Sequence, residues 1–245
     1  IGHSTFLIQM NGLNILTDPV LAKRMGFQKR LTEPGLTMSD LPDIDVVVIS
    51  HGHYDHLDFP TLRKINNNPQ YIVPIGLGQL FRRRGYKKVT ELSWWENLEI
   101  NGTTIHFVPA LHWTRRGLFD MNTSHWGGFV FESVRETHYF VGDTGYFPGF
   151  TEIGERFPID TVLMPIGAYE PEWFMRDSHI SPEDSVQAFL DLKAKTFIPM
   201  HYGAYRLADD TGPEALERLL QEWEKWELPE DQLKVLLLGE TILHL

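Results

Sequence analysis

The stretch DVVVIS, Asp45 to Ser50, leaves the chain little choice of architecture. It is continuously apolar rather than alternating, as a strand covered on both faces would be. Further β-prone runs surround it. TFLIQMNGLNILTDP reads as two strands around Asn11-Gly12, a type I′ hairpin signal, and a second Asn-Gly turn at Asn101-Gly102 precedes TTIHFVPA. YIVP and KVTEL read as strands, GGFVFE and THYFVGD as an antiparallel pair, and DTVLMPI and TFIPM carry the pattern into the second half. A short helix is expected from Asp58, its N-cap, with Phe59, Leu62 and Ile65 on one face. Others are expected around Leu77, Leu80 and Phe81, from Ser181-Pro182, and from Pro213 with Leu216, Leu219, Leu220 and Trp223 as the apolar stripe. Strands dominate the first half and alternate with helices in the second, so layers of sheet with helices outside would bury both kinds of element.

Composition narrows the function. The chain has 245 residues and no Ser/Gly-rich linker, low-complexity run or fixed-period repeat, so one domain over residues 1–245 is expected. It opens abruptly at Ile1 in what reads as a strand, which raises the expectation of an incomplete N-terminus and leaves targeting open. A formal charge of −11 opposes nucleic-acid binding, and the one basic run, RRRGYKK, reads as the solvated end of a helix. The absence of cysteine removes disulfides, thiolate nucleophiles and Cys-type zinc sites. No apolar stretch approaches the roughly 20 residues that span a bilayer, so the expected location is cytoplasmic or peripheral to a membrane.

Chemistry enters where DVVVIS runs into SHGHYDHLD. Residues two apart on an extended segment project to the same side, so His51 and His53 can converge on one cation. A turn after Tyr54 can aim Asp55 and His56 at a neighbouring position. Imidazole and carboxylate are ligands that zinc, iron and manganese all accept. More candidates stand at the ends of other apolar runs: His112 after FVPAL, Asp143 after YFVG, His201 after FIPM. Each alone would read as an ordinary hydrogen-bonded residue. Together with His-x-His-x-Asp-His they form the pattern a metal site requires.

That pattern resembles the metallo-β-lactamase superfamily. Nearly the whole chain is similar to the N-acylphosphatidylethanolamine-hydrolysing phospholipase D family, through LTDP, LPDIDVVVISHGHYDHLD, ELSWWE, HWTRR, GDTGYFPGF and PIGAYEPEWFM. The resemblance implies an α/β fold, an αββα sandwich of two mixed sheets packed face to face, with a two-metal site on one edge. It implies His51, His53 and His112 on a first divalent cation and Asp55, His56 and His201 on a second, zinc or else iron or manganese, with Asp143 bridging. A bridging Asp143 in a chain without cysteine departs from the β-lactam-hydrolysing zinc enzymes that use a Cys ligand. Asp18 of LTDP reads either as a turn residue before Pro19 or, by the family match, as a residue orienting a ligand.

Two cations ~3.5–4 Å apart can share a hydroxide that attacks phosphorus, so no protein nucleophile is needed. Asp55, Asp143 and His179 are the candidate catalytic residues. The seven ligand positions leave His179 unused; it matches the family's non-ligand histidine and would grip a phosphoryl oxygen or protonate the leaving group. Trp113, Leu118, Phe119, Met121, Trp173, Phe174 and Met175 flank His112 and His179, and read either as core or as grips for acyl chains and a lipid surface. His3 in IGHST matches a family position and reads as structural, with lining the site as the lesser alternative; His106, His125, His138 and His244 read as ordinary. The leading expectation is a phosphodiesterase acting on a lipid, with peripheral membrane contact and, by the family, a homo-oligomeric state. A lactonase and a non-catalytic metal-binding sensor are the alternatives.

Overall fold

The computed structural model describes residues 1–243. Asn11 and Gly12, both at positive φ (48° and 73°), turn β1 (Leu7–Met10) antiparallel onto β2 (Leu13–Thr17). A small ribbon of β3 (Arg24–Met25) and β4 (Gln28–Lys29) follows. Then β5 (Val46–Val48), β6 (Gln70–Pro74) and β7 (Val89–Leu92) extend the first sheet in parallel, in the order β1-β2-β5-β6-β7. Helices α1 (Phe59–Leu62) and α2 (Gly78–Arg82) connect these strands.

The second sheet begins as an antiparallel meander of β8 (Asn97–Ile100), β9 (Thr103–Val108), β10 (Gly128–Glu132) and β11 (Thr137–Phe140). Past α3 (Gly149–Arg156), the chain adds β12 (Thr161–Pro165) and, after α4 (Glu172–Met175) and α5 (Pro182–Leu192), β13 (Thr196–Met200), both parallel to β11. The helix α6 (Gly212–Lys225) follows, and the sheet order is β13-β12-β11-β10-β9-β8.

The unbroken apolar run of β5 has the expected cause. Val46 and Val48 lie in the cluster that joins the two sheets, with Ile105, Phe129, Phe140 and Val162, while Val47 lies in a second cluster with Phe59 and Leu62 of α1 and Phe81 of α2. Each such buried side chain contributes about 1.5–3 kcal/mol. Phe189 of α5 and Leu219 and Trp223 of α6 pack on the outside of the second sheet. The result is the αββα sandwich.

Two local expectations shift. Asp58 caps α1 by accepting from Thr61 N–H (3.1 Å), but α1 is only one turn long, so Ile65 packs from beyond its end. In α6 the buried stripe is Ala215, Leu219, Glu222 and Trp223, and Leu220 faces outward. Glu222 takes the buried position because its carboxylate accepts from Lys225 Nζ (2.8 Å) and Trp226 Nε1 (2.7 Å).

Candidate metal centre

Strand ends supply the site: Asp18 follows β2, His51 lies just past β5, Asp143 past β11, and His201 follows β13. Two donor sets converge. In the first, His53 Nδ1 lies 2.9 Å from His51 Nε2 and 3.2 Å from His112 Nε2. In the second, Asp55 Oδ2 lies 3.3 Å from His56 Nε2 and 3.4 Å from His201 Nε2. Asp143 stands between them. Its Oδ2 is 3.1 Å from His56 Nε2 and 3.9 Å from both His51 Nε2 and His112 Nε2, and its Oδ1 is 3.2 Å from His201 Nε2. All seven residues that the sequence singled out are thus brought into one cluster, and each set could hold a metal ion.

The far sides of the His51, His56 and His112 rings are anchored, whereas His53 Nε2 and His201 Nδ1 are buried with no hydrogen-bond partner among the described residues. Asp18, in the left-handed region at φ 31°, accepts from Ser50 N–H (2.7 Å) and Ser50 Oγ (2.5 Å), and its Oδ2 meets His56 Nδ1 at 2.6 Å. Ser50 Oγ also reaches His51 Nδ1 (2.9 Å), and His112 Nδ1 donates to Ser178 O (2.7 Å). Asp18 therefore orients His56 rather than merely turning the chain before Pro19. Fixing the proton on an outer nitrogen leaves the inner one as a bare lone pair, the tautomer a metal ligand needs. Gly142, at φ 70°, permits the close approach: a Cβ there would sit 2.8 Å from Gly127 O and 2.9 Å from Ser50 Cβ.

Electrostatics and donor chemistry both fit a cation. His56 Nε2 and both Asp143 oxygens are buried without a hydrogen bond, although they lie within 3.2 Å of neighbouring polar atoms. Their directions miss one another, as donors aimed at a shared point would. A tetrahedral zinc with ~2.0–2.1 Å bonds spaces its ligand nitrogens by roughly 3.3 Å, close to what the first set shows. Burial holds the His51 and His112 imidazoles well below their usual range, hence neutral. Burial alone would also lower His56 and His201, but Asp143 and Asp55 outweigh it; His56 is held well above its usual range and His201 is pushed up to about 9. Burial would raise the Asp143 carboxyl, yet His201 and His56 pull it well below the usual carboxylate range. The carboxylates here are calling for positive charge.

His179 belongs to neither of these two sets but groups with His112 and Asp143 as a further trio able to hold a metal ion; its Nδ1 is 3.9 Å from Asp143 Oδ2, and burial lowers it to about 4. The Ser178 carbonyl held by His112 pins its segment. His179 also lines a cavity of about 390 Å³ with Tyr169, Trp173, Arg176, Ser181 and Asp184. Of the flanking apolar residues, Trp113 packs edge-on against His53 (4.4 Å), and Leu118, Phe119, Met121, Trp173 and Phe174 are exposed rather than core.

Two residues stand closer to the site than the leading reading of the sequence placed them. His3, expected to be structural, is buried in the second set with Nε2 3.2 Å from Asp55 Oδ2. Arg116 donates from Nη1 to the carbonyls of Gly52 (2.7 Å), His53 (3.2 Å) and Leu57 (2.9 Å). HWTRR marks the segment of Arg116, but nothing local says where its guanidinium points. His106 and His138 pair with Glu132 and Glu136 (3.1 Å each) and His125 lies tilted against Trp94 (4.9 Å between ring centres), all outside the cluster; His244 lies outside the described residues.

Comparison with known proteins follows the geometry. The model of the beta-lactamase superfamily domain matches residues 13–202. The chain is 41% identical over 224 residues to N-acyl-phosphatidylethanolamine-hydrolyzing phospholipase D 1 of Caenorhabditis elegans, covering 84% of this chain and 63% of that protein. It is 35% identical over 240 residues to the mitochondrial N-acyl-phosphatidylethanolamine-hydrolyzing phospholipase D of Saccharomyces cerevisiae, covering 91% of this chain and 51% of that one. The chain thus spans between half and two thirds of these relatives. Among solved structures, the isothiocyanate hydrolase from Delia radicum gut bacteria superposes with a TM-score of 0.81 at 21% identity, covering 100% of this chain and 97% of that one, a likeness of fold.

Proposed function

The chain belongs to the beta-lactamase superfamily, and from that premise we propose that it is a metal-dependent hydrolase that cleaves a phosphodiester in an N-acylphosphatidylethanolamine-like phospholipid. The observation that carries this reading is the position of Asp143, one carboxylate facing both donor sets, with His179 beside it and outside either set. The named activity of the relatives at 41% and 35% identity supports the substrate class.

His51, His53 and His112 would hold one divalent cation, Asp55, His56 and His201 a second, and Asp143 would face both. Zinc suits this His/Asp donor set, and iron or manganese would also fit it. When bound, the cations supply Lewis acidity to the phosphoryl oxygens and acidify water near neutrality. The protein does the positioning. Asp18 and Ser50 hold the His56 and His51 rings by their outer nitrogens. His179, on the wall of the cavity, would grip a phosphoryl oxygen or hand a proton to the departing alkoxide. The exposed Leu118, Phe119, Trp173 and Phe174 support contact with a lipid surface.

The test is hydrolysis of N-acylphosphatidylethanolamine by the metal-loaded protein, read as phosphatidic acid and N-acylethanolamine, beside an acyl-homoserine lactone. Turnover of the phospholipid, abolished by chelation and lowered at least a hundredfold in Asp143→Asn, is expected. Turnover of the lactone alone would replace this reading with a lactonase. Equal inertness of both proteins on both substrates would favour a metal-binding sensor.

A further inference from the structure

The two-cation reading leaves one buried imidazole at the centre without a task. His3 sits on a turn that Thr5 N–H closes by donating to Gly2 O (3.1 Å), with His3 itself in the left-handed region at φ 57°. The turn is tied to the site through its backbone and its neighbours. His201 N–H donates to His3 O (3.3 Å), Thr5 Oγ1 donates to Asp18 O (2.9 Å), and Thr17 Oγ1 donates to Ser4 O (2.8 Å). The His3 ring lies 4.3 Å from that of His201 and edge-on to Tyr205 at 5.4 Å, so it has little room to turn.

Its two nitrogens have different surroundings. Nε2 faces Asp55 Oδ2 at 3.2 Å, whereas Nδ1 is buried with no partner. A neutral imidazole carries one hydrogen. Placed on Nε2, that hydrogen is donated to a carboxylate and no donor is stranded. Were His3 to ligate a cation through Nε2, the hydrogen would move to Nδ1, which has no partner among the described residues, as is also true of His201 Nδ1, so the two roles are separated by the variants below. Among the described residues Asp55 has no further side-chain partner beyond His56 and His201, which share with His3 the grouping around the same oxygen. We propose that His3 is a positioning residue of the second cation site: its Nε2–H fixes the Asp55 carboxylate in the orientation that completes the set with His56 and His201. This rests on the two-cation reading.

The experiment titrates chelator-stripped protein with Zn2+, resolving the uptake steps by calorimetry and counting metal per chain by elemental analysis. Thermal midpoints report folding. Wild type should take up two cations. His3→Ala should leave the first step unchanged and weaken the second roughly 10–100-fold, the usual range for a partner of a metal ligand. His3→Gln, whose amide N–H can reach the same oxygen but ligates poorly, should restore the second step to within a few-fold of wild type. An unchanged second step in His3→Ala overturns the assignment. So does equal weakening of both steps, the mark of a general structural role, or failure of His3→Gln to restore binding, the mark of a ligand. If His3→Ala does not fold, His3→Gln decides alone by the same criterion. Uptake of one cation by wild type would remove the two-cation reading itself, and this assignment with it.

Discussion

His112 and His179 carry the same ring and lie 5.1 Å apart, yet their neighbours set them to different work. His112 donates from Nδ1 to Ser178 O, which turns Nε2 toward His53, whereas His179 presents Nδ1 toward Asp143 Oδ2 at 3.9 Å and belongs to neither donor set. If the substrate is the phosphodiester we propose, that distance would set His179 beside a phosphoryl oxygen held between the two sets. His179→Ala is therefore expected to keep its full metal content by elemental analysis and lose roughly 10²–10³-fold in kcat, as when one oxyanion donor is removed. Substrate chemistry separates the two tasks. A donor that protonates an alkoxide is needed less when an aryl group leaves, whereas a grip on the phosphoryl oxygen is needed equally. The position beside Asp143 predicts that the defect persists with an aryl phosphodiester; its disappearance would assign His179 to the leaving group. Loss of metal would return His179 to the ligands.

At the scale of elements, the feature that was legible is where apolar runs stop. β5 and β11 are buried throughout and β13 in all but its first residue, so the polar side chains just beyond them stand out, and these include His51, Asp143 and His201. What was not legible depends on distant partners or on few buried residues. α3 buries only Phe150 and Ile153 over eight residues, too sparse a stripe to read. The turn at His3 is tied to the site by residues 17, 18, 55 and 201, far away in sequence. Arg116 is the same case. From a neighbouring loop it holds three carbonyls of the His51–Leu57 segment, while its guanidinium stacks over Tyr54 (4.1 Å) and Tyr54 Oη donates back to Arg116 O (2.9 Å). Arg116→Ala removes a charged donor from largely buried acceptors and should cost about 2–3 kcal/mol of stability, read as a lower urea midpoint. Arg115→Ala should change it by less than about 0.5 kcal/mol, since Arg115 bonds only within its own exposed loop. Equal midpoints for the two variants would deny Arg116 this task.

Across the whole molecule, charge and exposed apolar surface would favour different lipids if the protein meets a membrane as proposed. The formal charge is −11, and no helix among the described residues is long and apolar enough to cross a membrane. Yet Leu118 and Phe119, on the loop that follows His112, are 78% and 96% exposed, and Trp173 and Phe174 stand out beside His179. Side chains of this size cost free energy in water and repay it at an interface, on the order of 1–2 kcal/mol each for partial burial. If the substrate lies in a bilayer, as we propose, apolar contact rather than charge should bring the protein to it. Co-sedimentation with zwitterionic phosphatidylcholine vesicles should then be insensitive to salt. Vesicles enriched in anionic lipid should bind the protein less at low salt and recover as salt screens the repulsion. Leu118→Ser/Phe119→Ser should lower partition to zwitterionic vesicles about tenfold or more. It should spare metal content, because neither side chain touches the cluster. Unchanged partition would mean that this loop meets something other than lipid. Stronger binding to anionic vesicles would mean that a local basic surface, such as Arg82–Lys88, outweighs the net charge.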